Sequence, residues 1–395
     1  MGQRGGAWVN KSKKEVMRLT SFELENWKNF SHLEVNLQRR VFLVGPNASG
    51  KSNFLDVLRF LRDIVDVGGG FQEAVQWRSG VSAIRCLAAH RYTEIGIRVT
   101  FGPASEPNRW EYELRFNQDK QRRQLITKEH VSRSGEDLVL RPNSEDEKDP
   151  IRLSQTYLEQ INVNQEFRQV VEFFNSISYR HIVPQLIRDP ERYIGPEDDP
   201  FGGDFLEQIA ITNKPTKQAR LRRISEALKV AVPQLEELEL LRDERGQPHL
   251  RGKYEHWRSQ GAWQMEDQFS DGTLRLMGLL WSILDGTGPL LLEEPELSLH
   301  PGVIRYLPQM FARIQRRNRR QIIVSTHSSD LLQDSGIGLD EVLLLIPDRG
   351  GTQVKPASEF QEIRDLLAGG LTLADAVIPF TQPKDAEQLT LFEGL

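Results

Sequence analysis

The chain has 395 residues, with 51 Lys and Arg against 56 Asp and Glu, for a formal net charge of −5. So mild a charge sets up no field that calls for nucleic acid or a membrane surface, and the length suits one or two domains with a buried core. The single cysteine, Cys86, excludes a disulfide framework, suits a reducing compartment and reads as a small buried apolar residue.

No apolar run approaches the roughly 20 residues needed to span a bilayer, so a cytoplasmic protein without a membrane partner is expected. Residues 1–17 begin Met1-Gly-Gln-Arg-Gly-Gly, basic and glycine-rich without an apolar signal core, and read as a flexible lead-in. Arg18 to Leu24 alternates as a strand, Asn26 to Phe30 makes a turn, and Leu33 to Leu37 forms a second strand. Val41 to Val44 is apolar on both faces, as a fully buried strand is. After a glycine-bearing turn, Phe54, Leu58, Leu61 and Val65 recur at helical spacing until Gly68-Gly-Gly70. Ile95, Ile97, Val99 and Phe101, then Trp110, Tyr112, Leu114 and Phe116, alternate with polar residues around a turn at Gly102 to Asn108. Arg123 to Val131 adds a further strand, giving an antiparallel sheet with one wet face. A charged break at Asn143 to Pro150 closes an amino-terminal lobe of residues 18–148. Residues 149–232 read as a helical insertion without heptads, so a long coiled-coil arm is not expected. Residues 233–379 form a second lobe, α/β in character, with central strands at Leu290 to Leu292, Gln321 to Ser325 and Val342 to Ile346. A helix near Val303 to Arg316 serves as the crossover. Residues 380–395 are a polar tail.

Two segments carry the chemistry. Gly45-Pro-Asn-Ala-Ser-Gly-Lys-Ser52 stands between strand and helix in the order a phosphate loop requires. Backbone N–H groups from Asn47 to Ser52 would cradle phosphates at a helix N-terminus, with Gly45 and Gly50 allowing the close approach. Lys51 would bridge the β- and γ-phosphates, and the Ser52 hydroxyl would ligate Mg2+. Leu292-Glu293-Glu294-Pro-Glu296 ends a buried strand in paired carboxylates. Glu293 would act through the metal and its waters, and Glu294 would orient the attacking water or take its proton. Taken alone, the pair also fits two solvated carboxylates at a strand end. His327, one strand later in Ser325-Thr-His-Ser328, could hydrogen-bond a γ-phosphate oxygen or be an ordinary loop histidine. Ser270-Asp271-Gly272-Thr273 opens a helix, either as a simple N-cap or as an anion-binding N-terminus.

These pieces, in this order, resemble the ATP-binding-cassette-type heads of the structural-maintenance-of-chromosomes (SMC), RecF and OLD-like group, and more closely the stand-alone ATPases of the AAA-21 type found in prokaryotic defence systems. The resemblance covers most of residues 18–379. It implies an α/β P-loop ATPase head with an antiparallel β lobe and a helical insertion. It makes Ser270, Asp271, Gly272 and Thr273 a signature motif that touches the γ-phosphate held by the other subunit. Glu293 and Glu294 take the Walker B and catalytic positions, Leu297 to Pro301 the D-loop, and His327 the switch histidine. Asn29, in the Asn26 to Phe30 segment, would lie near the adenine. Pro46, Asn47, Ala48, Ser49 and Asn53 complete the loop's nucleotide contacts, and Gln72 is the residue assigned to the Q-loop and the metal, with Gln76 as the other candidate. Glu293 stands where transporters carry Asp, and a carboxy-terminal TOPRIM nuclease domain is lacking.

The resemblance thus implies ATP and Mg2+ as cofactors and a homodimer closed around ATP. The function expected is an ATPase that controls a separate effector, such as a nuclease, in DNA sensing, repair or antiphage defence. The alternative is a slow-hydrolysing ATP-bound scaffold that sequesters a partner. Basic clusters at Lys120 to Arg123, Lys214 to Arg223 and Arg313 to Arg320 could meet DNA phosphates or be solvated faces paired to acids. The tail segment Gln388-Leu-Thr-Leu-Phe392 resembles the peptide by which bacterial proteins dock on the sliding clamp, or packs on its own domain.

Overall fold

The computed structural model describes residues 15–89, 93–189, 198–255 and 262–382. The clamp-like segment Gln388 to Phe392 and most of the lead-in lie outside them.

The amino-terminal part builds strands β1 (Arg18–Trp27), β2 (Phe30–Asn36) and β3 (Arg40–Val44), then helices α1 (Lys51–Val65), α2 (Phe71–Gln76) and α3 (Val81–Ile84). Strands β4 (Ile95–Gly102), β5 (Trp110–Gln118), β6 (Gln124–Arg133) and β7 (Glu136–Arg141) follow, then α4 (Ser144–Lys148) and α5 (Arg168–Asn175). Six of these strands pair antiparallel in the order β2-β1-β4-β5-β6-β7. Their alternation is literal. Phe22, Leu24, Ile97, Val99, Tyr112 and Leu114 point inward onto α1 and α5 and are buried. Glu23, Glu25, Arg98, Glu113 and Arg115 point outward and cross-pair as a lattice of ion pairs on the wet face.

The middle of the chain departs from the helical reading. Within it lies β8 (Ser178–Arg180), before α6 (Pro184–Arg188), α7 (Phe205–Ile211) and α8 (Lys214–Ala231). Next come the three-stranded sheet β9 (Leu235–Arg242), β10 (Pro248–Tyr254) and β11 (Ala262–Met265), then α9 (Asp271–Leu284) and β12 (Leu290–Glu293). The chain continues with α10 (Pro301–Ile304), α11 (Leu307–Asn318), β13 (Ile322–Thr326), β14 (Val342–Asp348), β15 (Gly351–Pro356), α12 (Gln361–Ala368) and α13 (Leu373–Val377).

The second six-stranded sheet, β15-β14-β3-β13-β12-β8, organises the molecule. Its strands from β14 to β8 run parallel. Val41, Leu43, Leu291, Ile323 and Leu343 face the cluster shared with α1 and the antiparallel lobe. Phe42, Val44, Leu292, Val324 and Leu344 face a second cluster built on α9 and α8. Both faces are covered, which is why these strands read as unbroken apolar runs.

Arg320 and Arg141 turn inward, whereas Arg123 is paired at the surface. Arg320, the last residue of one basic cluster, is 1 % exposed and donates to the carbonyls of Gly288 at 2.7 Å and Ser282 at 2.6 Å. Arg123 pairs with Asp119 at 2.7 Å. Arg141 is fully buried, bonds Glu129 at 2.8 Å and Asp146 at 2.9 Å, and lies 3.9 Å over the Tyr157 ring. On α8, Lys214, Lys217 and Arg222 line a groove of about 690 Å³ opposite Glu236, Glu237 and Glu239.

Replacing Arg141 by Met strands two buried carboxylates, and urea unfolding should show a loss of about 3–5 kcal/mol. Glu159 gives a second check. It accepts from the Phe71 N–H at 2.6 Å, and burial pushes its carboxyl from 4.5 up to about 7. The folded chain holds this proton more tightly than the unfolded one, so its stabilising effect is complete below about pH 4.5 and lost as pH rises through 7. In Glu159→Gln, melting temperatures should fall less across that window than in the parent.

Candidate functional site

Parallel strands place all their carboxyl ends on one edge, and ligands in such sheets bind there. Here β3 delivers Gly45, β12 delivers Glu293 and Glu294, and β13 delivers His327 to that edge.

The turn from Gly45 to Gly50 is held from outside. Asn29 donates to the Ala48 carbonyl at 3.3 Å, Asn53 donates to Asn29, and Thr352 donates to the Ser49 carbonyl at 2.8 Å. Ala48 and Gly50 take positive φ, 62° and 100°. A Cβ at Gly45 would sit 2.6 Å from Ser49 Oγ and 2.8 Å from the Leu345 carbonyl, so only glycine fits beneath the turn. Lys51 begins α1, is 7 % exposed, and donates from Nζ to the carbonyls of Gly45 at 2.8 Å and Pro46 at 3.0 Å. Burial lowers its pKa, while Glu294, Glu296 and Glu293 oppose the shift.

Ser52 Oγ donates to Glu293 Oε1 at 2.5 Å. The other oxygen of Glu293 accepts from Tyr179 Oη, supplied by β8. Burial, then the Glu293 charge, pushes the Tyr179 hydroxyl up, so it stays a donor. Glu294 adopts φ 43°, a left-handed conformation that bends the chain at the strand end. That bend brings both carboxylates to the same edge although neighbours in a strand point apart. Ser325 fixes the bend by accepting from the Glu294 N–H at 3.0 Å through its carbonyl. His327 Nδ1 lies 3.0 Å from Glu294 Oε1.

Ser270 caps α9 by accepting from the Thr273 N–H at 3.2 Å, and its side chain is exposed. Asp271 is held by Arg188 at 2.6 Å and Gln185 at 3.0 Å. A Cβ on Gly272 would come 2.6 Å from the Ser298 carbonyl, so the first turn of α9 abuts the segment after Glu294 directly.

Gln72 is not brought to this cluster. Its amide donates to the carbonyls of Gln124 at 3.2 Å and Ser154 at 2.9 Å, beyond the far end of α1. A helix of 15 residues carries it about 20 Å along the axis from Lys51. Tyr179 was missed because a three-residue strand leaves no periodic trace. The signal that could have found it is the Ser-Tyr-Arg triplet ahead of a proline turn.

The protein-family model described as "AAA domain, putative AbiEii toxin, Type IV TA system" matches residues 40–333. The DNA replication and repair protein RecF of Lactobacillus johnsonii is 44 % identical over 46 residues, a stretch that is 11 % of this chain and only 12 % of RecF. Among solved structures, an Smc head bound to the C-winged helix domain of ScpA superposes with a TM-score of 0.53 at 13 % identity, over 85 % of this chain and 96 % of that one. The Smc head domain with an extended coiled coil, bound to the C-terminal domain of ScpA, from Pyrococcus furiosus gives 0.52 at 12 % identity, over 89 % and 100 %. At such identities the likeness is one of fold: an α/β head of the SMC type.

Tyr179→Phe removes the donor to Glu293 while keeping the ring, over which the Arg59 guanidinium lies at 4.3 Å. If Glu293 holds Mg2+, titrating the ion against ATP turnover should show an apparent affinity about 10-fold weaker.

Proposed function

The chain belongs to the AAA-domain family whose model it matches, and from that premise we propose that it binds and hydrolyses ATP at the edge formed by β3, β12 and β13. The observation that carries this reading is the convergence of Lys51, Ser52, Glu293, Glu294 and His327 from three separate strand ends. A buried ammonium beneath a turn of backbone N–H groups suits a polyphosphate. Ser49 Oγ, buried and without a hydrogen-bond partner among the described residues, also fits a ligand-lined loop.

Lys51, Gly45 to Ser52 and Asn53 would hold the triphosphate, with Asn29 beside the loop. The hydroxyl and carboxylate of Ser52 and Glu293 form a hard oxygen set that suits Mg2+. Bound there, the ion would offset charge on the β- and γ-phosphates. Glu294 would aim a water in line with the γ-phosphate and take its proton, and His327 would hold Glu294 in place through Nδ1. Lys51 would stabilise charge on the leaving oxygens.

Ser270 is exposed at the head of α9, and among the described residues the Ser270 to Thr273 turn has no bond to its own subunit's Lys51, Ser52, Glu293 and Glu294 cluster. In our reading it completes the site of a second copy, so that ATP closes a homodimer and hydrolysis opens it. Such a switch would control a separately encoded effector, a nuclease being the reading carried from the sequence. The family description names a toxin–antitoxin system and the local RecF match concerns DNA repair, which support a role in defence or DNA sensing. DNA and a sliding clamp remain partners to be tested.

Lys51→Ala should abolish ATP binding, read by a fluorescent ATP analogue. Glu294→Gln should bind ATP, turn over at least about 100-fold more slowly and accumulate as a dimer in native mass measurement. Parent-rate turnover by Glu294→Gln would remove it from the base role. An ATP-filled parent with negligible turnover, even with DNA present, would identify a scaffold instead.

A further inference from the structure

The amino ends of the parallel strands, on the edge opposite the phosphate loop, gather arginines from three segments. Arg18 opens β1, Arg39 precedes β3, and Arg319 follows α11. All three line one cavity of about 190 Å³, together with the Pro103 to Ser105 turn. The six steps from Arg39 to Gly45 along β3 set it about 20 Å from the phosphate loop.

Buried amides hold this frame. Gln321, 1 % exposed, accepts from the Leu19 N–H at 2.9 Å and donates to the carbonyls of Leu19 at 2.9 Å and Gln38 at 2.8 Å. Gln315 donates to the Arg39 carbonyl at 2.6 Å, and its own carbonyl accepts from the Arg319 N–H at 2.8 Å. One glutamine thus fixes the neighbours of Arg18 and Arg39, and the other joins Arg39 to Arg319. Among the described residues, none of the three guanidinium groups has a hydrogen bond or an ion pair, and Arg18 Nε is buried in that state. The carboxylate on the rim, Glu15, is engaged by Arg109 at 3.0 Å instead. Elsewhere in the chain Arg98, Arg115 and Arg251 each meet a carboxylate across a sheet. Like charges held together by a rigid frame repel until an anion joins them.

The cations continue beyond the cavity. Arg313, Arg316 and Arg317 stand on α11 at i, i+3 and i+4, so they share a face. They are exposed and have no ion pair among the described residues. The dipole of α11 favours Arg316 and Arg317 in its last turn, but it does not account for Arg18 or Arg39, which lie on no helix.

We infer that this edge is a docking surface for the sugar–phosphate backbone of duplex DNA. The cavity takes one phosphate, which guanidinium groups grip through paired N–H donors. The α11 face meets further phosphates of the same strand, a reach that one small anion does not have. Contacts of this kind position a duplex without reading its bases. The inference rests on the DNA partner proposed above and does not require ATP turnover.

The test follows the fluorescence anisotropy of a labelled DNA duplex with the full chain, without nucleotide, across a series of KCl concentrations. Melting temperatures check folding. Arg18→Gln/Arg39→Gln/Arg319→Gln is expected to bind on the order of 100-fold more weakly at about 0.1 M salt. Its slope of log affinity against log salt should be shallower by about 3. Arg313→Gln/Arg316→Gln/Arg317→Gln should move both quantities the same way. Lys214→Gln/Lys217→Gln/Arg222→Gln on α8 removes as much charge and should bind as the parent does. Parent affinity and slope in the first variant, or an equal loss in the α8 variant, overturns the inference. Inorganic phosphate that raises the melting temperature of the parent but not of the first variant, while both bind DNA alike, would identify a small-anion pocket and also overturn it. Should the first variant fail to fold, Arg39→Glu, on an exposed side chain, decides: binding at least about 10-fold weaker supports the surface, and parent binding overturns it. If the parent itself does not bind the duplex, the DNA partner and this surface fall together. If the parent binds and the arginine variants match it, this inference alone falls.

Discussion

The site depends on a parallel sheet buried on both faces. A strand that is apolar on alternate sides must be covered twice, and here the antiparallel lobe with α1 covers one side and α9 with α8 covers the other. Once covered, the strands can expose polar chemistry only at their ends. Parallel direction then sends Val44, Glu293 and Thr326 out along one edge, so residues far apart in sequence become neighbours without any local signal joining them.

What was legible in the sequence follows from this division. The phosphate loop and the carboxylate pair are local patterns on long, strongly apolar strands, and the strands and turns of the antiparallel lobe stand where the alternation of Ile95 to Phe116 put them. The doubly covered sheet was legible for the same reason: β3, β12, β13 and β14 show no wet face. The helical reading of the middle segment concealed β8, because Ser178–Arg180 is too short to show a period and its flanks are helical. Gln72 was misjudged in space rather than in sequence. Distance along a helix converts to distance in ångströms, and α1 carries the chain away from the edge before Gln72 is reached.

Charge was the other place where sequence and structure part. A run of arginines looks alike whether it faces water or carbonyls. Arg320 ends such a run and turns inward, because the ends of α9 and the turn before β12 leave carbonyls at Ser282 and Gly288 that lack donors. Arg141 does the same among Glu129 and Asp146. Neither choice can be read from composition, since the acceptors come from distant segments. The ion-pair lattice on the antiparallel lobe, by contrast, follows from alternation: once the apolar residues choose the inside, Glu23, Arg98 and Glu113 have nowhere else to go.

The shortest strand has a consequence of its own. β8 pairs with β12 through only three residues and, among the described residues, has no strand beyond it. A margin so thin frays at little free-energy expense, whereas β12 and β13 separate only when the whole core does. Tyr179 therefore clasps Glu293 from the most easily detached rib of the sheet. Loss of that rib would free one oxygen of the carboxylate while leaving β12 paired with β13.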